Sequence, residues 1–170
     1  MTRFGWLAAS LAAVACIVGP ALAPPRARLI WNASASVPIG LYRVRPTGDL
    51  RVTELLVVKP PGPLAEFLDR RRYLANGVPM LKRVLALPGQ VVCRVGSTIT
   101  VDGIAMGDAL ASDSRGRPLP VWSGCRPVQP GEVFLMNWHS KASFDGRYFG
   151  LLPITTIIGR ADALWTREGD

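Results

Sequence analysis

From Phe4 to Ala23 the chain reads FGWLAASLAAVACIVGPALA, twenty residues without a charge. A helix of that length rises about 30 Å, the thickness of the hydrocarbon core of a bilayer. The pattern predicts an N-terminal transmembrane helix. Arg3 precedes it; Pro24, Pro25, Arg26 and Arg28 follow. Ala21-Leu22-Ala23 also has the small-x-small pattern of a signal-peptide cleavage site, so a retained anchor and a cleaved signal both stand as readings. Pro24 favours retention, because proline constrains the backbone that a peptidase must bind in extended form. Residues 1–25 are therefore read as a membrane anchor or signal segment, and 26–170 as one folded domain.

Beyond residue 25 the apolar positions alternate or cluster in short runs, each closed by Gly or Pro. Gly40–Val44, Val52–Val58, Met80–Leu87, Val91–Val95, Thr98–Val101, Ile104–Met106, Glu132–Met136 and Ile157–Trp165 read as strands. Asp102-Gly103 lies between two of them, a two-residue hairpin signal. Residues 63–74 place Leu64, Phe67, Leu68 and Leu74 near helical spacing behind Pro63, which predicts one short amphipathic helix. Residues 107–130 are rich in Gly, Pro and Ser and carry little pattern. The expected fold is mostly β, with many short strands.

Composition supports this picture. Apolar residues make up 49% of the 170, enough for a sizeable core, and charged residues only 19%. The 15 Pro and 17 Gly suit a loop-rich β fold rather than a helical bundle. The net charge of +8 invites a nucleic-acid reading. However, the arginines are scattered, and the densest run, Arg70-Arg71-Arg72, lacks the aromatic interleaving of a single-strand binder. No nucleic-acid partner is expected, and an anionic bilayer surface accounts for the charge equally well. Cys16 sits in the apolar segment. Cys93 and Cys125 lie in the domain, where an oxidising compartment would let them pair for a stabilisation on the order of 3–4 kcal/mol.

Few residues are available for acid–base chemistry. Of 20 Lys and Arg only three are lysines, Lys59, Lys82 and Lys141, and His139 is the single histidine. One His and no Cys-x-x-Cys leave too few ligands for a metal site, and no phosphate-binding glycine loop appears, so no cofactor is expected. Ser34 and Ser36 stand just before Pro38 and Gly40, where the proline stiffens the chain after Ser36. A serine nucleophile needs a base. His139 lies in polar, loop-like surroundings. Alternation along a strand instead places Met80, Lys82, Val84 and Ala86 on one face, with the ammonium among apolar neighbours that favour the neutral amine. Arginine could not serve there, because it stays protonated. Ser143, Asp145 and Arg147 also alternate and would share a face if extended. Asn32-Ala33-Ser34 matches a glycosylation sequon.

Three blocks together resemble the type I signal (leader) peptidase family, most of all its conjugative-transfer, TraF-type branch. They are Ser34–Tyr42 (SASVPIGLY), Lys82–Gly89 (KRVLALPG) and Ser143–Pro153 (SFDGRYFGLLP), the last followed by Ile157–Ala161 (IIGRA). The resemblance implies a signal-peptidase-like β-domain and a Ser/Lys dyad with Ser36 as nucleophile and Lys82 as general base. It implies an oxyanion hole made by the Ser36 amide and the Ser34 hydroxyl. Ser143 would orient the lysine, and Asp145 and Arg147 would support the site.

The sequence also departs from the housekeeping pattern. Only Val37 separates Ser36 from Pro38, the Gly-Asp-Asn expected before the third block is replaced around Asn137-Trp138-His139, and the stretch from 90 to 130 is short. These departures favour a dedicated substrate and a reduced accessory β-region. The implied protein is an endopeptidase of the bacterial inner membrane facing the periplasm. Its partners would be the lipid bilayer, a pilin-like precursor peptide and a conjugative secretion apparatus. Hydrolysis and cyclisation of the precursor both remain open. The alternative is a non-catalytic, membrane-tethered β-domain that scaffolds a secretion complex.

Overall fold

A computed structural model describes residues 3–22 and 29–167. The expected boundary at residue 25, with Ala23 and Pro24, lies outside the described residues. In chain order the elements are α1 (Arg3–Leu22), β1 (Leu29–Asn32), β2 (Ile39–Arg45), β3 (Leu55–Val58), α2 (Gly62–Arg70), β4 (Met80–Ala86), β5 (Val91–Val95), β6 (Thr98–Val101), β7 (Ile104–Asp108), β8 (Gly124–Pro127), β9 (Glu132–Leu135), α3 (Gly146–Phe149), β10 (Leu151–Pro153) and β11 (Ile157–Arg167). The domain is mostly β, as the pattern of short apolar runs requires.

α1 covers the uncharged N-terminal segment and leaves Phe4, Trp6, Leu7, Leu11 and Ile17 exposed. The expected transmembrane helix is nevertheless not found: among the described residues, no helix is long and apolar enough to cross a membrane. Alanine, which contributes little hydropathy per residue, makes up much of the segment, and Gly19 and Pro20 fall near its end.

Seven strands form one sheet in the order β1-β2-β11-β3-β4-β9-β10, and four form a second in the order β7-β6-β5-β8; every pairing is antiparallel. The continuous apolar run of β3, Leu55-Leu56-Val57-Val58, is buried at all four positions. It therefore sits at the middle of the large sheet, with both faces covered. On one face α2 packs Leu64, Phe67 and Leu68 against Leu56, Val58, Met80 and Val84. A second cluster, with Leu85, Val92, Ile99, Phe134 and Met136, welds the small sheet to the large one. Cys93 and Cys125 face each other across β5 and β8 and form a disulfide.

Several local expectations change. Residues 52–54 turn instead of extending: Thr53 takes φ 77° and its amide donates to the Val84 carbonyl. The helix expected over 63–74 stops at Arg70, because Arg72 adopts a left-handed conformation with φ 57° and the Tyr73 amide returns to the Leu68 carbonyl. A bulge between Val84 and Ala86 breaks the alternation of β4. Met80 and Val84 belong to the α2-side cluster, whereas Ala86 joins the cluster shared with the small sheet. Asp102 and Gly103 both take positive φ, as a two-residue hairpin turn requires. Gly40 is needed for closeness: a Cβ there would lie 2.1 Å from the Trp165 carbonyl oxygen of β11.

Candidate active site

Ser36 stands in the loop of the hairpin that joins β1 to β2, whose register pairs Asn32 with Gly40. This loop is built on Asn32. Its buried side-chain amide donates to the carbonyls of Ser34 (2.8 Å), Val37 (3.1 Å) and Pro38 (3.0 Å), and its oxygen accepts from the Ser34 amide (3.1 Å). From the buried Tyr42 a hydroxyl also reaches the Pro38 carbonyl, at 2.6 Å. The Asn32 sequon is thus committed to the fold, its nitrogen fully occupied. Ser34 and Ser36 touch: the Ser34 hydroxyl donates to Ser36 Oγ at 3.1 Å, and the Ser36 amide points at Ser34 Oγ at 3.3 Å. Removing the Asn32 side chain, as in Asn32→Ala, frees three loop carbonyls. The expected result is a loss of about 1–2 kcal/mol of stability in chemical denaturation, with a more severe effect on any reaction at Ser36.

Lys82 lies on β4 opposite Leu56 of β3. It is only 5% exposed, and its ammonium donates to Ser143 Oγ at 2.9 Å. Burial pushes its pKa down to about 8, Asp145 pulls it back up, and Arg147 pushes it down further. One lysine of three is thereby placed to exchange a proton near neutrality. Lys59 and Lys141 are exposed. His139, the other candidate base, is exposed beside the Trp138 ring and outside the lining of the cleft described below.

Ser143, Asp145 and Arg147 do come together, but not as an extended strand. Asp145 caps α3, accepting from the Arg147 amide at 3.2 Å. Its carboxylate also binds the Arg147 guanidinium twice, at 2.9 Å each, and the Asn137 amide at 3.0 Å. The guanidinium then donates to the carbonyls of Ser140 (2.7 Å) and Ser143 (3.1 Å), which fixes the loop that carries Ser143. Asn137 joins this loop to β4: its amide nitrogen donates to the Leu81 carbonyl and its oxygen accepts from the Arg83 amide. The pair is almost fully buried, and every contact is charge-assisted or bidentate.

Ser34, Ser36, Lys82 and Ser143 line a single cleft of about 390 Å³, walled by Leu68, Leu74, Met80, Leu81 and Phe144. Among the described residues, no cluster of three or more His, Cys, Asp or Glu is placed to hold a metal ion.

A family model described as "Signal peptidase, peptidase S26" matches residues 1–166. The chain belongs to the signal peptidase family, peptidase S26. This is a family of serine peptidases. Among the relatives of the chain, a conjugal transfer protein TraF of Agrobacterium fabrum is 36% identical over 151 residues, covering 79% of this chain and 81% of its own. A plasmid transfer protein TraF of Escherichia coli is 32% identical over 136 residues, covering 75% and 77%. A probable signal peptidase I-1 of Synechocystis is 32% identical over 111 residues, covering 65% and 52%. A solved signal peptidase I of Enterococcus faecalis overlaps 67% of this chain and 97% of its own at 17% identity, with a TM-score of 0.40.

In this candidate site the residues whose structural part sequence reasoning passed over are Asn32, Tyr42, Asn137 and Arg94. Asn32 carried a signal, its place directly before the paired serines, but only the hairpin turns its amide inward. Arg94, on the small sheet, donates to the Arg147 carbonyl at 2.6 Å, a contact across 53 residues that no local pattern encodes.

Proposed function

We propose that this protein is a serine endopeptidase that cuts a signal or pro-segment from an exported precursor, with Ser36 as nucleophile and Lys82 as general base. One observation carries the reading: a lysine buried among apolar side chains, its pKa pushed down to about 8, opens into the same cleft as Ser36. A lysine kept for structure gains nothing from such burial, which disfavours its charge.

The chemistry follows from these groups. The precursor lies extended in the cleft, paired through its backbone to strand atoms. Neutral Lys82 Nζ takes the Ser36 hydroxyl proton as Oγ attacks the scissile carbonyl. The Ser36 amide and the Ser34 hydroxyl, now turned toward each other, swing to the oxyanion. The protonated lysine gives its proton to the leaving amine, and an acyl-enzyme forms. Ser143 holds Nζ in line throughout. An incoming nucleophile then loses a proton to Lys82 and attacks the ester, releasing Ser36. If that nucleophile is water, the precursor is hydrolysed; if it is an amine of the precursor itself, the product is cyclic.

The names of the TraF relatives support a role in conjugal transfer, and the substrate we propose is a pilin-like subunit of a conjugation system. The exposed apolar helix α1 and the Cys93–Cys125 disulfide support a place at the bacterial inner membrane with the domain on the periplasmic side. The test is precursor processing in membranes at matched expression. Ser36→Ala is expected to leave the precursor uncut while the protein still accumulates and folds. Normal processing by Ser36→Ala would leave the scaffold reading in its place.

A further inference from the structure

α3 is a single turn, and a helix this short leaves most of its carbonyls without partners of its own. The small sheet supplies the donors. Arg94 of β5 donates from Nη1 to the Arg147 carbonyl at 2.6 Å, and the Trp122 indole, just before β8, donates to the Gly146 carbonyl at 3.0 Å. Arg94 also reaches two further segments. Its Nε donates to the Gly96 carbonyl at 3.1 Å and its Nη1 to the Pro120 carbonyl at 3.3 Å. One guanidinium therefore joins the β5–β6 turn, the segment before β8 and α3.

Arg94 is 4% exposed, and it enters none of the ion pairs formed among the described residues. Burying a cation without a counter-ion is unfavourable, and a packed apolar side chain often serves stability as well or better. Stability alone does not call for an arginine here. What arginine adds is a planar fork whose donors are fixed in direction. The fork grips the residue on which the base depends. The Arg147 guanidinium binds the Ser140 and Ser143 carbonyls at 2.7 and 3.1 Å, and the Ser143 hydroxyl accepts from the Lys82 ammonium at 2.9 Å. From Arg94 to Arg147, from Arg147 to Ser143 and from Ser143 to Lys82, every link is a direct hydrogen bond. Arg94 itself lies outside the lining of the cleft, so it reaches the reacting groups only through this path.

We infer that Arg94 is a positioning residue for the general base: through Arg147 it holds the Ser143 loop, and with it the Ser143 hydroxyl, against Lys82 Nζ. This rests on the peptidase reading above. It gives the small sheet a part in proton transfer, exerted from a strand that does not line the cleft.

The experiment uses the purified full chain in detergent and a synthetic peptide that spans the precursor's cleavage site, with kcat and KM measured across the pH range of the Lys82 limb. Arg94→Met is expected to lower kcat by about tenfold to a hundredfold with KM little changed, the loss that a small misplacement of a reacting group brings. Its activity limb should move above the wild-type position near pH 8. Burial is the main force that holds the Lys82 pKa down, a loosened loop admits water, and the charges that act on Lys82, Asp145 and Arg147, both remain. The decisive measurement is the double variant. Arg94→Met should add about twofold or less to the kcat loss of Ser143→Ala, because the contact it secures is already gone. Ile99→Ala, a cavity in the core shared by the two sheets, should lower the melting temperature and leave the limb in place. Where Arg94→Met does not accumulate, Arg94→Lys takes its place in the same cycle, since a single ammonium cannot reproduce the fork that holds three separate carbonyls. A wild-type kcat and limb in the Arg94 variant, or a loss that multiplies in full with that of Ser143→Ala, would overturn the positioning role and leave the peptidase standing. An equal movement of the limb in Ile99→Ala would overturn it as well, by reducing the effect to damage of the small sheet. Absence of Ser36-dependent cutting in the wild type would overturn both.

Discussion

Lys82→Arg is expected to stop precursor processing, with a fall in kcat/KM of roughly 10³-fold or more, the scale of a lost general base. Arginine keeps the positive charge but cannot give up its proton near neutral pH, so it blocks the first step. The pH profile carries the same information in the wild type. Burial lowers the pKa of Lys82 to about 8, so below that pH most of the enzyme holds the charged, inactive lysine. Activity should therefore rise about tenfold per pH unit up to about 8 and then level. An unperturbed lysine would place this limb near 10.4 instead. Stability should move the same way. The unfolded chain binds this proton more tightly than the folded one, so the folded state gains as pH rises from about 8 toward the unfolded value. Lys82→Met, inactive for the same reason, should lose this pH dependence in denaturant melts. Processing by Lys82→Arg at the wild-type rate would dismiss the dyad.

The second large effect is expected from the Asp145–Arg147 pair, which is 0% and 1% exposed. Removing either partner leaves the other charged, buried and short of its hydrogen bonds. Arg147→Met strands the Asp145 carboxylate, and Asp145→Ala strands the guanidinium along with the Asn137 amide. Each should cost about 3–5 kcal/mol, on the order of 10 °C in melting temperature for a domain of this size. Asp145→Asn, which keeps shape and drops charge, separates structure from electrostatics. Asp145 raises the pKa of Lys82 and Arg147 lowers it. The activity limb of Asp145→Asn should therefore shift to lower pH, and that of Arg147→Met to higher pH, both measured at a temperature where the variants are folded. Melting temperatures within a degree of wild type for both Arg147→Met and Asp145→Ala would show that the pair does not hold the site.

The strands were legible where the apolar runs were short and bounded: β3, β4, β5, β6 and β9 all lie within the stretches that alternation marks. β1, β8, β10 and α3 were not. β8 has four exposed residues and is held by its pairing with β5 and by the disulfide, neither of which leaves a hydrophobic period. α3 is four residues long and exists because Asp145 caps it. The segment that leads into it, Ser143 to Arg147, alternates polar side chains like a strand, and the capping geometry overrides that pattern. The helix after Pro63 was legible at its start, where proline fits the first turn, but not at its end. There Arg72 takes a left-handed conformation that sequence disfavours and the return to the Leu68 carbonyl repays.

The sequence by itself determined which residues are chemically able to act. Paired serines stand before a proline, one lysine sits in an apolar run among many arginines, and a carboxylate and a guanidinium lie two residues apart. These are properties of side chains and of neighbours along the chain, so they survive without a fold. Only the tertiary structure decided that Lys82 meets Ser143, that Asn32 folds its amide under the serine loop, and that Arg94 of the small sheet meets the Arg147 carbonyl. Those contacts join positions as far as 61 residues apart, through hydrogen bonds between polar groups. Apolar patterning says which face is buried, but it does not say which polar partners meet there. That choice is made when the two sheets and α2 close on one another, and each buried donor must find an acceptor.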